Sequence, residues 1–251
     1  MGRTLGKGNM NRFFTPAELI GEETAKIVGN DVAHISKVLR LSIGDTIELC
    51  DGQCNDYIAE ISKINKDCVS LKLLQHFPSP TESKYQVTLF QCLPKAAKLE
   101  TIIQKSVELG VFAICPVESE RCVIKLDKRD SESKRIRMSR VAYEAAKQSK
   151  RGILPEILPV TRLNKLDLSN YDIVILAYES ESGKTLKDVL KAVTHPKNIA
   201  IIVGPEGGFA PDEVSWLTAN GSYSVSLGTR ILRTETAGMA MLAMINYELE
   251  L

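Results

Sequence analysis

Between Thr46 and Leu74 apolar residues recur at every second position. Thr46-Ile47-Glu48-Leu49-Cys50 predicts a short strand, and Asp51-Gly52 is a turn signal. Tyr57 to Ile64 predicts a second strand with Tyr57, Ala59 and Ile61 on one face. After the turn Asn65-Lys66-Asp67, Cys68 to Leu74 puts Val69, Leu71 and Leu73 on one face and Ser70 and Lys72 on the other. Such alternation implies a half-buried antiparallel sheet or small barrel. Ahead of it, Asp31 to Arg40 predicts one short helix with Asp31 as its N-cap. The stretch Phe77-Pro78-Ser79-Pro80-Thr81-Glu82-Ser83 is a linker by composition. It separates an N-terminal domain, residues 10–77, from a second, residues 84–251.

Beyond the linker the period changes. Predicted strands are Gln86 to Leu93, Ala113 to Val117, Asp172 to Tyr178, Asn198 to Val203 and Tyr223 to Leu227. Predicted helices are Lys95 to Leu109, Ser131 to Lys150, Lys184 to Val193, Asp212 to Ala219 behind Pro211, and Thr234 to Glu248. The strands are nearly continuous apolar runs that alternate with helices. That pattern implies an α/β domain, a parallel sheet with helices on both faces. The last helix carries Met239, Met241, Leu242, Met244 and Ile245 and is apolar nearly all round, as a core helix or a subunit interface would be.

Charge adds one point. The net charge is only +1, yet Arg121 to Arg151 holds eleven Lys/Arg against four Asp/Glu, while Pro205 to Leu251 holds two against six. The basic stretch is either a solvated helix face or a surface for an anionic macromolecule. No apolar run approaches the ~20 residues of a membrane span. Met1 to Asn9 is Gly-rich and basic without an apolar core, so it is not a secretory signal, and Met10 reads as the true beginning. The six cysteines are scattered, and the close pair Cys50/Cys54 lacks a second pair or a histidine partner. Reduced cytoplasmic thiols and no metal site are expected.

In parallel α/β sheets ligands bind beyond the carboxyl ends of the strands. Two loops there stand out. Gly204-Pro205-Glu206-Gly207-Gly208-Phe209 has the backbone freedom to approach a ligand, but matches neither the dinucleotide fingerprint nor a P-loop. Leu227-Gly228-Thr229-Arg230-Ile231-Leu232-Arg233-Thr234-Glu235-Thr236 places two arginines in a region short of positive charge. They suit a phosphate, a carboxylate or a developing oxyanion, or else pair with Glu235 or Glu206. Thr234 or Thr236 is a candidate cap for the last helix. His34, His76 and His195 make no Ser-His-Asp or Cys-His arrangement, so an enzyme here works by positioning and electrostatics. An RNA-binding module without chemistry and a nucleotide enzyme remain alternatives.

These two loop motifs together closely resemble the bacterial 16S ribosomal RNA (uracil-N(3))-methyltransferase family, within the SPOUT superfamily of trefoil-knotted methyltransferases. His34 with Val38-Leu39-Arg40 and Gly44-Asp45 resembles that family's PUA-like RNA-binding barrel. Lys105, Glu108, Leu109 and Gly110, and Glu144 to Ser149, resemble its middle. The resemblance covers Arg12 to Leu251. It implies a small N-terminal β-barrel and a deep C-terminal knot. It also implies S-adenosyl-L-methionine held among three loops. These supply Leu176, Ala177, Tyr178 and Glu179; then Gly204, Pro205, Glu206, Gly207 and Gly208; then Ser226, Leu227, Gly228, Ile231 and Leu232. Glu206 or Glu179 would favour the cationic sulfur. Arg233 first, and Arg230 second, would be catalytic. Arg12, Arg40, Arg135, Arg137, Arg140, Lys147 and Arg151 would meet RNA. Implied partners are 16S ribosomal RNA or the assembled small subunit, and a second copy of the chain through the knot, with no membrane.

Overall fold

The computed structural model describes residues 10–95, 98–125 and 128–250. The leader Met1 to Asn9 lies outside them. The chain forms two compact units. One comprises residues up to Glu82 together with Lys150–Leu154; the other comprises Ser83–Ser149 and Pro155–Leu251.

The first unit is a five-stranded sheet of β1 (Arg12–Phe14), β2 (Thr24–Val28), β3 (Thr46–Cys50), β4 (Asn55–Ile64) and β5 (Cys68–Pro78), ordered β1-β3-β4-β5-β2. The β1–β3 pair is parallel and the rest antiparallel. Alternation in β5 buries Val69 and Leu71 against Phe13, Ile27, Ile47, Leu49 and Ile61. In β4 the single expected face does not hold. Register shifts at Ile58/Ala59 and Ile61/Lys63 change the phase. Asp56 and Ile58 are therefore buried as well as Ala59 and Ile61, as a bulge dictates. The expected helix from Asp31 to Arg40 begins instead behind Gly29 (φ 76°) as α1 (Asn30–Ala33) and widens into a π-turn, His34–Val38. Val32 and Ile35 are its inward residues.

Arg12 and Arg151 are both spent inside this unit. Arg12 is 7% exposed, donates to Asp56 (2.7 and 3.0 Å) and to the Arg151 carbonyl (2.8 Å), and also pairs with Glu48. Arg151 forms a two-pronged pair with Glu82 at 2.9 and 2.8 Å. The expectation that these two arginines meet RNA is corrected, because a buried, paired guanidinium is not available to a phosphate.

The second unit is a parallel sheet flanked by helices. The strands are β6 (Gln86–Cys92), β7 (Ala113–Glu118), β8 (Glu156–Ile157), β9 (Thr161–Arg162), β10 (Ile173–Ala177), β11 (Asn198–Val203) and β12 (Ser222–Val225). Their order is β12-β10-β11-β6-β7-β8, with β9 also on β7. The helices are α2 (Lys98–Glu108), α3 (Lys128–Gln148), α4 (Leu186–Lys191), α5 (Pro211–Ala219) and α6 (Thr234–Glu250). The central strands are buried on both faces, which is why their sequences read as unbroken apolar runs. The helix α4 is shorter than expected because a capping box, Thr185 with Asp188, fixes its start. On α3 the buried positions are Met138, Ala142, Ala145 and Ala146. Ile136 on the same helix is 49% exposed. Among the described residues no helix is long and apolar enough to cross a membrane, and no group of His, Cys, Asp or Glu is placed to hold a metal.

Candidate active site

Strands β12, β10 and β11 are neighbours and end together: Ala177 pairs with both Val203 and Val225. Their following loops therefore leave the sheet at one edge and line one open pocket there. The first loop supplies Ala177, Tyr178 and Glu179; the second, Gly204, Pro205 and Gly208; the third, Ser226, Leu227, Gly228, Thr229, Arg230, Ile231 and Leu232. Val203, Val225, Thr234 and Ala237 complete the wall. These last four were not anticipated. The valines are strand ends, and Thr234 and Ala237 lie one helical turn apart on α6.

Three expected cofactor residues are not on this wall. Leu176 is fully buried in the core beneath the site. Glu206 and Gly207 have partners elsewhere. The Glu206 carboxylate accepts from Lys98 Nζ and the Lys95 amide, both at 3.1 Å. The Gly207 carbonyl accepts from Arg121 at 2.9 Å. Glu179 is thus the carboxylate at the cavity. Its side chain occupies the space that a Cβ on Gly208 (φ 66°) would fill, so only glycine permits this approach.

The start of α6 is tied to the glycine loop. The Thr234 hydroxyl donates to the Gly204 carbonyl (2.6 Å) and accepts from Gln91 Nε2 (2.9 Å). A helix cap was the expected use of this hydroxyl; a cross-link between loops is what it makes. Arg230 lines the cavity, whereas Arg233 stands outside that wall with its side chain 80% exposed and 4.0 Å from Glu235. Glu235 is held below the ordinary carboxylate range, chiefly by its own backbone N–H, against a small burial penalty, with help from Lys98 and Arg233. Glu206 is held low as well. Burial opposes this and is the largest influence, but its backbone N–H, Lys98 and Lys95 outweigh it. Both pKa values are depressed, so these pairings stabilise the fold above the ordinary carboxylate range. The stabilisation is lost as pH falls through the depressed values.

Gly228 has φ 114°, a conformation that side chains adopt only under strain. In Gly228→Val the free loop relaxes away from it, so a ligand must restore the strained shape at about 1–3 kcal/mol. Ligand affinity should fall roughly 5- to 150-fold, with the melting temperature little changed. Calorimetry and thermal denaturation of the same variant check this. Unchanged affinity would remove the third loop from the binding site.

The expected RNA cations on α3 lie at or near the surface. Arg135 pairs with Glu132 at 2.8 Å, Arg137 with Glu100 at 2.5 Å, Arg140 is exposed, and Lys147 lies 5.5 Å from the Tyr143 ring centroid. In the first unit Arg40 is exposed at φ 54°.

Residues 81–246 match the family model described as an RNA methyltransferase domain, and residues 28–74 match an RNA methyltransferase PUA domain. A Bacillus subtilis protein named ribosomal RNA small subunit methyltransferase E is 34% identical, covering 96% of this chain and 98% of its own length. The solved structure of a Neisseria gonorrhoeae protein of the same name, bound to S-adenosyl methionine, is 32% identical. It has a TM-score of 0.82 and covers 96% of this chain and 98% of its own. A Legionella pneumophila protein solved with bound cofactor SAM is 28% identical, with a TM-score of 0.85 over 96% of this chain and 98% of that one.

Proposed function

Since the chain belongs to the RNA methyltransferase family, among the ribosomal RNA small subunit methyltransferase E proteins, we propose that it binds S-adenosyl-L-methionine in this cavity and methylates N(3) of a specific uridine in 16S ribosomal RNA. The observation that carries the reading is the convergence of three loops on one cavity. Apolar walls, one carboxylate and one arginine meet there at the carboxyl ends of adjacent parallel strands.

The lining fits the cofactor. Val203, Leu227, Leu232 and Ala237 offer an apolar slot for a purine, and Glu179 offers negative charge to a cation. When bound, the cofactor supplies an electrophilic methyl group on a cationic sulfur. A uracil ring nitrogen is a poor nucleophile until its proton leaves. The resulting charge spreads onto the flanking carbonyl oxygens, where Arg233 or Arg230 stabilises it. The remaining rate comes from alignment, for which the target base must leave its stack. The chain acts in the cytoplasm, on free RNA or on the assembled subunit.

The strand order, with β12 and β11 on either side of β10, and the Thr234–Gly204 link support a C-terminal trefoil knot. The chain pairs with a second copy through the knot. In support, an apolar groove between α4 and α6 is lined by Leu186, Leu190, Ala240, Ala243, Met244 and Tyr247, with Tyr247 70% exposed. Light scattering tests this, and a monomer at working concentration contradicts it.

Titration calorimetry tests the cofactor reading. S-adenosylmethionine and its demethylated product should bind, and nucleoside triphosphates should not. The reverse result would make the chain a nucleotide enzyme; binding of neither would make it an RNA-binding module. Arg135, Arg137 and Arg140, with the basic surface of α3, support an RNA face. Neutralising the three together should weaken RNA binding. It should also flatten the salt dependence by up to ~0.9 log unit for each duplex phosphate that is no longer neutralised. Cofactor affinity should be unchanged. An unaltered affinity and salt slope would leave this face as solvated surface.

A further inference from the structure

Lys98 stands in the first turn of α2, where the helix dipole disfavours a cation. Its Nζ lies 3.1 Å from Glu206 Oε1 and 3.2 Å from Glu235 Oε2. One carboxylate belongs to the glycine loop and the other to the first turn of α6, immediately after the arginine loop. A single ammonium therefore joins two segments that both contribute to the cavity wall. Arg233 faces the other oxygen of Glu235 at 4.0 Å, the Lys95 amide reaches Glu206, and Arg121, from the segment after β7, holds the neighbouring Gly207 carbonyl. Without Lys98 two carboxylates would face each other across the joint, and like charges in one site disfavour double ionisation.

We infer that Lys98 is a positioning residue for methyl transfer, whose ammonium binds Glu206 and Glu235 together and so sets the spacing of the glycine loop against the Arg233-bearing end of the third loop. The inference rests on the proposed methyltransferase reading. Lys98 does not line the cavity, so its effect reaches the reacting groups only through the two carboxylates.

The test compares wild type with Lys98→Met, Lys98→Arg and the double variant Lys98→Met/Glu206→Gln. Cofactor affinity and single-turnover methylation of 16S ribosomal RNA are measured from about pH 8 to about pH 5.5. Lys98→Met should weaken cofactor binding roughly tenfold. It should slow turnover on the order of a hundredfold at the alkaline end, through misplacement of the loops. Both losses should shrink as pH falls, because one carboxylate then takes up a proton and the repulsion ends. Lys98→Arg should retain most of both properties, and the double variant should regain cofactor affinity. A loss that is equal at every pH and is not rescued by Glu206→Gln would show a merely structural lysine and overturn the inference. So would wild-type behaviour of Lys98→Met. A wild-type chain that binds no cofactor would remove the functional reading and the positioning role together; wild-type binding with an indifferent Lys98→Met removes only the positioning role.

Discussion

Replacing Arg233 with alanine should lower the turnover number for RNA methylation by about 10²–10³, or ~2.7–4 kcal/mol of transition-state stabilisation. The affinity for S-adenosylmethionine should stay within error. Arg233 is largely exposed, held in direction by Glu235 at 4.0 Å rather than consumed by it, and stands beside the cavity rather than in its wall. A guanidinium so placed is available to oxygen that becomes charged only in the reaction. Single-turnover rates at saturating cofactor, with calorimetry on the same preparation, check it. Turnover near wild type would move the role to Arg230, which lines the cavity and should then show the loss when changed to alanine.

The second large effect is on stability. Glu82 accepts from Arg151 twice and from the amides of Gly152 (2.6 Å) and Ile153 (3.1 Å), with only 9% of its side chain exposed. Glu82→Ala leaves a buried guanidinium and two amides without this acceptor. Breaking such a pair from one side typically costs about 3–5 kcal/mol. Urea denaturation should show that loss in the first unit, while cofactor affinity is retained. A loss under about 1 kcal/mol, the scale of an exposed pair, would show that this carboxylate is in practice solvated.

The same cluster shows where sequence reading stops. Arg12 and Arg151 count as positive charge in any tally, and a tally does not register burial. They become structural only because Lys150–Leu154 rejoins the first unit, placing Arg12 on a carbonyl 139 positions away. No local period announces that return. Period and composition did reveal what depends on neighbours in the chain. Thr46–Cys50 and Asn198–Val203 have the predicted bounds, since alternation and unbroken apolar runs are written residue by residue. The strands Arg12–Phe14 and Glu156–Ile157 are too short to carry a period. Thr24–Val28 does alternate, exposed and buried, and its sequence carries that period.

At the site, the loops were legible because glycines and arginines cluster where predicted strands end. Which side chains point inward was not. Glu206 looked like the natural carboxylate for a cationic ligand, but it pairs with Lys98, 108 positions earlier. Gly207 is likewise held by Arg121, 86 positions earlier. The one available signal was a lysine in the first turn of a helix, a placement that asks for a carboxylate from elsewhere in the fold. Glu179 and Arg230, whose neighbours are set by their own strand ends, remain at the cavity.

Methyl transfer to a ring nitrogen of uridine in small-subunit RNA leaves a product that can be identified directly. The most direct measurement incubates the protein with methyl-labelled S-adenosylmethionine and 16S ribosomal RNA, as free RNA and as assembled subunits. The RNA is then digested to nucleosides and the labelled product identified by mass spectrometry. Label is expected in 3-methyluridine, at a single position, and less of it at limiting cofactor in Gly228→Val, whose cofactor binding is weaker. Label on another atom or base, or no label with either substrate while the cofactor binds, would contradict it.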